Sequence, residues 1–144
     1  MILLDTDVLS ALMHAPADPN VVAWLDRQPR SSIWTTTVTV LEIRIGLATM
    51  TEGRRQKALL SAFATLLNET LHRRVAPFDL EAADQTAALM EARRARGKPQ
   101  DLRDAMIAGI ALVRKAALAT HKTRHFDDAG LTLIDPWNPA RRHP

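Results

Sequence analysis

The chain has 144 residues, of which 47% are hydrophobic and 24% charged, a balance typical of one domain with a sizeable core. It contains no cysteine, which excludes a disulfide framework, a thiolate zinc site and a cysteine nucleophile. The net charge of +3 is explained most simply by a solvated basic helix face, although it also suits a polyanionic substrate. An aromatic content of 4% without tyrosine argues against an aromatic platform for stacked bases.

The N-terminal segment MILLDTDVLS predicts a buried strand followed at once by a helix. Residues 2–4 form a short apolar run, and apolar residues then recur from Val8 at helical spacing. Asp5 therefore lies where a strand ends and a helix begins, which is the edge where ligands bind in open α/β sheets. Taken alone, the segment favours the plainer interpretation that Asp5 or Thr6 caps the helix.

Four helices and two strands are predicted between residues 18 and 96. The first is a helix that begins at Asp18 and ends at Pro29, and it is followed by a strand over 31–36 and a helix from Thr37 or Thr39 to about Thr49. Then come a helix over 52–71, a strand over 75–78, and a helix from Leu80 to about Arg96 with Asp79 as its cap.

The helix that ends near Thr49 carries a candidate functional acid. Val38, Leu41, Ile45 and Ala48 repeat at the spacing of a core-facing stripe. Glu42 lies beside this stripe, at the edge of the predicted buried face. Its position alone leaves a plain surface glutamate and a site residue equally open.

This helix and the one over 52–71 form a predicted hairpin that an alternating α/β fold does not require. The expected inward residues of its second helix are Leu59, Leu60, Phe63, Leu66 and Leu67. Such an appendage suits dimerisation or partner binding, and simple core cover equally well. The basic run Arg93, Arg94, Arg96 and Lys98 near the Gly97 helix stop allows nucleic-acid contact, but cations at a helix C-terminus are favourable in any case.

A second informative segment begins after Pro99. Residues 106–113 are apolar on nearly every side, which predicts a helix buried in the core. Asp101 is the expected N-cap of this helix. Asp104 stands in its first turns beside apolar residues, and a buried carboxylate requires a compensating cation, Lys or Arg.

The chain is predicted to end with two strands, over 117–120 and 131–134, separated by a polar turn. Alternating strands and helices predict a parallel sheet covered on both faces. We expect one domain over residues 1–138, followed by a short basic tail over 139–144 that is disordered. No stretch is long and apolar enough for a signal peptide or a membrane span, so we expect a cytoplasmic protein without a membrane partner.

Three of the acids share one description. Asp5 ends the first strand, Glu42 lies on the helix after the second strand, and Asp104 begins a core helix that leads into a late strand. Right-handed crossovers bring such positions to one edge of the sheet, where converging carboxylates need a hard cation such as Mg²⁺ or Mn²⁺. Such a site can activate water and neutralise charge on a phosphodiester, which indicates metal-dependent phosphodiester hydrolysis.

The segments MILLDTDVLS, TTTVTVLEIRIGL, DAMIAGIAL and LATHKTRHFDDAGLTLIDPW, in this order, resemble a PIN domain of the VapC toxin type. The resemblance covers residues 1 to about 138. It implies a three-layer α/β/α sandwich around a central parallel sheet. The implied activity is a Mg²⁺- or Mn²⁺-dependent endoribonuclease acting on structured RNA such as tRNA or rRNA.

The resemblance also implies partners and site residues. A VapB-type antitoxin is expected to neutralise the toxin and to carry it to operator DNA, and a homodimer is expected. Asp5, Glu42 and Asp104 match the acids of the family pattern as catalytic and metal-binding residues, with Asp5 and Asp104 binding directly and Glu42 through water. Thr6 matches a supporting hydroxyl.

The chain departs from the family pattern near its end. His125 stands where many relatives have aspartate, and Lys122 where asparagine is usual. Imidazole is a poorer Mg²⁺ ligand than carboxylate, which questions a second metal. His125 suits a phosphate contact or proton transfer, and equally a plain position in an exposed loop. Asp127 and Asp128 could approach the site, but solvated turn acids are the expected interpretation.

Two other functions deserve comparison. A signalling receiver domain also places acids at a sheet edge, and Asp5 with Asp7 imitates its acid pair, but the middle strands offer no convincing phospho-acceptor. A catalytically inactive PIN-fold module that only binds RNA or an antitoxin is the stronger alternative, because Lys122 and His125 depart from the nuclease pattern. Metal-dependent cleavage separates that module from the nuclease.

Overall fold

The computed structural model describes residues 1–99 and 101–139 as a five-stranded parallel sheet with helices on both faces. The strands are β1 (Ile2–Leu4), β2 (Ile33–Thr36), β3 (Val75–Ala76), β4 (Ala117–Ala119) and β5 (Leu133–Ile134). They lie in the order β3-β2-β1-β4-β5, so β1 is central. This confirms the predicted three-layer α/β/α architecture.

Six helices cover the two faces of this sheet. They are α1 (Thr6–Met13), α2 (Pro19–Asp26), α3 (Thr37–Ala48), α4 (Arg54–Thr65), α5 (Leu80–Ala95) and α6 (Leu102–Arg114). Successive residues of a strand point to opposite faces, so Leu3 packs in the core under α5 and α6, whereas Leu4 packs in the core formed with α1 to α4. Asp79 and Asp101 cap α5 and α6, as predicted.

Several elements are shorter than the sequence indicates. The strand predicted over 31–36 starts at Ile33, because Ser32 donates through its backbone and its hydroxyl to the Pro29 carbonyl and closes a 3₁₀ turn. The strands predicted over 75–78 and 131–134 each retain two residues. The helix predicted over 52–71 begins at Arg54 and changes to a π-helical turn over Leu66–Thr70, and Leu60 is exposed rather than inward.

The predicted core stripe of α3 is wrong. Leu41 and Ile45 are 52% and 47% exposed, and Ala48 is exposed as well. The buried residues of the helix are Val38, Thr39, Ile43 and Leu47. Apolar residues occur on every side of this helix, so periodicity alone does not select the face that packs.

Close packing of α5 on α6 requires a glycine at position 109. We expect Gly109→Ala to lower the free energy of unfolding by about 1–3 kcal/mol, because the added methyl group overlaps Thr86 Oγ1 and the helices must separate. The carbonyl oxygen of Ala82, which cannot rotate away, lies only 2.7 Å from that Cβ position.

Gly46 in α3 is the matched control for this substitution. A Cβ there meets nothing within 4 Å, so Gly46→Ala should raise stability by about 0.5–1 kcal/mol through its helix propensity alone. Urea unfolding of both variants measures the contrast. If both alanine substitutions changed the free energy of unfolding in the same direction, close packing at Gly109 would not be the cause.

Two predictions concern the ends and the surface of the chain. The basic tail predicted over 139–144 lies, apart from Pro139, outside the described residues. Within the described ranges, every helix is too short or too polar to cross a membrane.

Candidate active site

Asp5 stands at the carboxyl end of the central strand, beside Thr120. The register pairs Leu4 of β1 with Ala119 of β4, so the residues that follow them, Asp5 and Thr120, lie side by side at the sheet edge. The fully buried carboxylate accepts a hydrogen bond from the Thr6 backbone N–H at 2.8 Å and another from Thr120 Oγ1 at 2.8 Å. Burial raises the pKa of Asp5 against these hydrogen bonds. The capping role expected for Asp5 is therefore present, together with a placement suited to ligand binding.

Glu42 reaches the same edge from α3. Thr6 Oγ1 donates to Glu42 Oε1 at 3.1 Å, which links the two acids through one residue of α1. The half-buried carboxylate also has Arg103 Nη1 3.8 Å from Oε2. Burial raises the pKa of Glu42, and the charge of Asp5 acts in the same direction. Thr6 thus has the supporting position that the resemblance implies.

Asp104 approaches from the first turn of α6. Its backbone N–H donates to Asp101 Oδ1 at 3.1 Å, which fixes the helix start and leaves the Asp104 side chain 7% exposed. Lys122 Nζ lies 3.2 Å from Asp104 Oδ1, and His125 Nδ1 lies 3.0 Å from Asp104 Oδ2. The compensating cation expected for a buried Asp104 is therefore Lys122. His125 is more than half exposed, but its ring binds this acid rather than standing free in a loop.

Lys122 acts on the whole acidic cluster. Partial burial of its ammonium favours the neutral form, but the charges of Asp5 and Asp104 outweigh burial and raise the pKa of Lys122. Its backbone N–H donates to Thr120 Oγ1 at 3.1 Å, the hydroxyl that in turn donates to Asp5. One threonine therefore fixes both the acid and the lysine.

Asp7 is a member of this cluster that the sequence analysis did not assign to the site. One carboxylate oxygen, Oδ2, accepts the His121 backbone N–H at 2.9 Å. The other, Oδ1, is buried and has no hydrogen-bond partner in the described part of the chain. Burial, and then the charge of Asp5, raises the pKa of Asp7 from 3.8 to about 6. Its place two residues after Asp5, on the same helix turn, is the one sequence signal that could have found it.

Asp7 makes the stability of the metal-free chain depend on pH. Its folded-state pKa lies above the unfolded value, so its contribution is fully present below about pH 4 and is lost as the pH rises through about 6. We expect Asp7→Asn to raise the free energy of unfolding at pH 7.5 by on the order of 2 kcal/mol. At pH 3.5, where both states hold the proton, little change is expected.

Urea unfolding in EDTA at the two pH values measures this prediction. Asp26→Asn is the control, because Asp26 is exposed and pairs only with Arg30 on the surface. An equal gain for Asp7→Asn at both pH values would show that ionisation of Asp7 is not the cause.

The donor set suits a hard divalent cation. Asp5, Glu42 and Asp104 offer carboxylate oxygens, and the orphaned Asp7 Oδ1 adds a buried acceptor that needs a positive partner. Among the described residues, no three Asp, Glu or His side chains already stand as a formed metal cluster. The Lys122 ammonium contacts one oxygen of the Asp104 carboxylate, so one acid of the set is already paired with a cation.

The segment that carries Lys122 and His125 is fixed to the end of α5. Arg93 donates through Nε and Nη2 to the two oxygens of Asp128, at 3.0 and 2.9 Å, and Nη2 also donates to the His125 carbonyl at 2.9 Å. Both side chains of this ion pair are more than 90% buried. The expectation that Asp128 is a solvated turn acid is therefore wrong. Arg93 is buried in this ion pair, so it does not belong to an exposed basic run. Asp127 is exposed, as expected.

A pocket of about 360 Å³ opens beside Asp104. Its wall has three basic side chains, an imidazole and four carboxylates: Arg93, Lys98, Arg124, His125, Asp101, Asp104, Asp127 and Asp128. The carboxylates suit a cation, and the basic side chains suit a phosphate group. The pocket therefore leaves the acid at the start of α6 accessible from one side.

Comparisons with known proteins agree with this geometry. The family profile described as PIN domain matches residues 2–130. A VapC ribonuclease, Y4jK of Sinorhizobium fredii (strain NBRC 101917 / NGR234), is 39% identical over 97% of this chain and 100% of its own length. Toxin FitB of Neisseria gonorrhoeae (strain ATCC 700825 / FA 1090) is 30% identical over 96% of this chain and 99% of its own. A solved structure of FitAB bound to an IR36 DNA fragment superposes with a TM-score of 0.85 at 30% identity, covering 95% of this chain and 96% of that chain.

Proposed function

The chain belongs to the PIN domain family and to its VapC-type toxins, and we propose that it cleaves RNA with a divalent cation held by Asp5, Asp104 and, through water, Glu42. The observation that carries this proposal is the convergence of the three acids at the carboxyl edge of the sheet. Thr6 joins Asp5 to Glu42, and Lys122 joins Asp104 to the hydroxyl that binds Asp5.

The cation proposed is Mg²⁺ or Mn²⁺. When bound, it would lower the pKa of a water molecule and neutralise negative charge on the phosphodiester. The chain's own residues would orient the acid and bind the substrate. Thr6 and Thr120 hold the Asp5 carboxylate in one orientation, so the acid does not need to reorganise during the reaction. His125 and Arg124 line the pocket beside Asp104, where they can hold the RNA phosphate.

The proposed partners follow from the same family. RNA is the substrate, with tRNA or rRNA as candidates, so the site of action is the cytoplasm. A VapB-type antitoxin is the proposed inhibitor, and operator DNA is contacted only through it. The FitAB complex on DNA, which contains the named toxin FitB, supports this arrangement.

We also propose a homodimer. The exposed Leu41 and Ile45 of α3, in the predicted hairpin, offer apolar surface for a second copy. Sedimentation of the antitoxin-free chain is expected to give the mass of two chains. A single chain at all concentrations would contradict the dimer.

A catalytically inactive RNA- or antitoxin-binding module is the second candidate function. The observation that favours it is that both oxygens of Asp104 already accept bonds, from Lys122 and His125. If this saturation excluded a cation, the chain would bind RNA without cutting it.

Cleavage of total cellular RNA by the purified chain separates the two candidates. We expect discrete fragments with Mg²⁺ or Mn²⁺ and none with EDTA. Asp104→Asn, assayed beside the wild type, should produce no fragments. RNA that stays intact with every metal, although the protein is folded and free of antitoxin, would favour the binding module.

A further inference from the structure

We propose that Lys122 is a built-in cation of the acidic site and that the site therefore takes one divalent ion instead of two. The proposal rests on the proposed nuclease function and states how the charge of that site is balanced. It arises from the position of the Lys122 ammonium, which lies 3.2 Å from Asp104 inside the acidic cluster.

Lys122 is held by contacts at its side-chain ammonium and at its backbone N–H. Lys122 Nζ lies 3.2 Å from Asp104 Oδ1, and the backbone N–H of Lys122 donates to Thr120 Oγ1 at 3.1 Å. Thr120 is fully buried at the end of β4 and holds Asp5. The lysine therefore cannot leave the cluster by a shift of its backbone without also breaking the support of Asp5.

The carboxylates around this ammonium carry more negative charge than the neighbouring cations balance, and one divalent ion can supply the missing positive charge. Four carboxylates face it, from Asp5, Asp7, Glu42 and Asp104. Among the described residues, the other permanently charged cation in contact with these acids is Arg103, which lies 3.8 Å from Glu42, and the His125 imidazole lies 3.0 Å from Asp104. The four acids thus outnumber the two permanent cations, which leaves a place for added positive charge.

The hydrogen bonds also distinguish the two acids that would bind directly. Asp5 accepts only from neutral donors, so both of its oxygens keep room for a cation. Asp104 has the lysine on one oxygen and the imidazole on the other. A second cation at Asp104 would have to compete with an ammonium that lies 3.2 Å from one oxygen of this acid, and the two positive charges would repel each other. Lys122 thus takes the place of a second ion and its positive charge.

Counting bound Mn²⁺ on the full-length, metal-free chain tests the proposal without an activity assay. Electron paramagnetic resonance of free Mn²⁺ during a titration should show one ion bound per wild-type chain. Lys122→Met should bind Mn²⁺ about tenfold more tightly or better, because the substitution removes a positive charge a few ångströms from the ion. Its melting temperature in EDTA should fall below that of the wild type and recover when Mn²⁺ is added.

Two variants separate charge from packing. Lys122→Arg keeps the positive charge and should retain the wild-type affinity for Mn²⁺. Lys57→Met removes a lysine from the exposed face of α4 and should change neither affinity nor melting temperature.

The wild-type count decides the inference even if Lys122→Met does not fold. Two Mn²⁺ ions per wild-type chain overturn the inference and leave the proposed nuclease intact, whereas no bound ion overturns both. Unchanged affinity in a folded Lys122→Met chain also overturns it.

Discussion

Asp5→Asn is expected to reduce RNA cleavage by about 10²–10³-fold or more, the scale seen when one preorganised electrostatic group is removed from an active site. The amide keeps the shape of the side chain but loses the charge that would hold the cation. It also has one acceptor oxygen for two donors, the Thr6 N–H and the Thr120 hydroxyl. The measurement is the initial rate of cleavage of one purified RNA at saturating Mg²⁺.

Stability should change far less than activity. Burial raises the pKa of Asp5, so the ionised carboxylate costs folding free energy that a neutral amide does not, but the amide leaves one buried donor without an acceptor. Because these two effects oppose each other, the melting temperature of Asp5→Asn in EDTA should stay close to that of the wild type. Asp26→Asn is the surface control and should leave both quantities unchanged. Cleavage by Asp5→Asn at the wild-type rate would remove Asp5 from the proposed site.

Arg93→Ala is expected to lower the free energy of unfolding by about 2–4 kcal/mol, because it removes both hydrogen bonds to the buried Asp128 carboxylate and leaves that carboxylate the longer contacts with Arg96 at 3.7 Å and Lys98 at 4.0 Å. For a chain of this length that corresponds to a fall in melting temperature of roughly 10 °C. Thermal and urea unfolding measure it. The matched control is Arg94→Ala, because its partner Glu91 is exposed and a solvent-screened ion pair of this kind should contribute little to stability. Equal effects of the two alanine variants would contradict the assigned role of Arg93.

The same ion pair makes a contribution that disappears in acid. Hydrogen bonds from Arg93 hold the pKa of Asp128 below its usual value, so the stability that it gives is present at neutral pH and is lost as the pH falls through the folded-state pKa. Asp128→Asn should be less stable than the wild type at pH 7. The difference should shrink at pH 2–3.

The sequence predicts what depends on local pattern. The first strand and helix follow from a short apolar run and the polar residues after it, which place Asp5 at the sheet edge. The start of α6 follows in the same way from the Asp101 cap and the apolar residues after Asp104. Both acids were therefore placed correctly, although their catalytic role stays a prediction.

Features that depend on distant partners could not be predicted in this way. The hydrogen bond from Thr120 to Asp5 requires the register of β4 against β1, and the Arg93–Asp128 pair joins a helix end to a later turn. The exposed face of α3 was misassigned because apolar residues occur all around that helix, so only its neighbours decide which side is buried. Composition and spacing contain no information about these contacts.

The link between Asp5 and Thr120 has a consequence for the order in which the acidic cluster forms during synthesis. The two residues are 115 positions apart, and β4 must pair with β1 before the hydroxyl reaches the acid. A nascent chain on the ribosome carries Asp5 and Glu42 long before it carries Thr120 and Lys122, and it carries Asp104 shortly before them. The acidic cluster is thus completed only after Lys122 has been added, so under the proposed function a chain that stops before Thr120 should not cleave RNA.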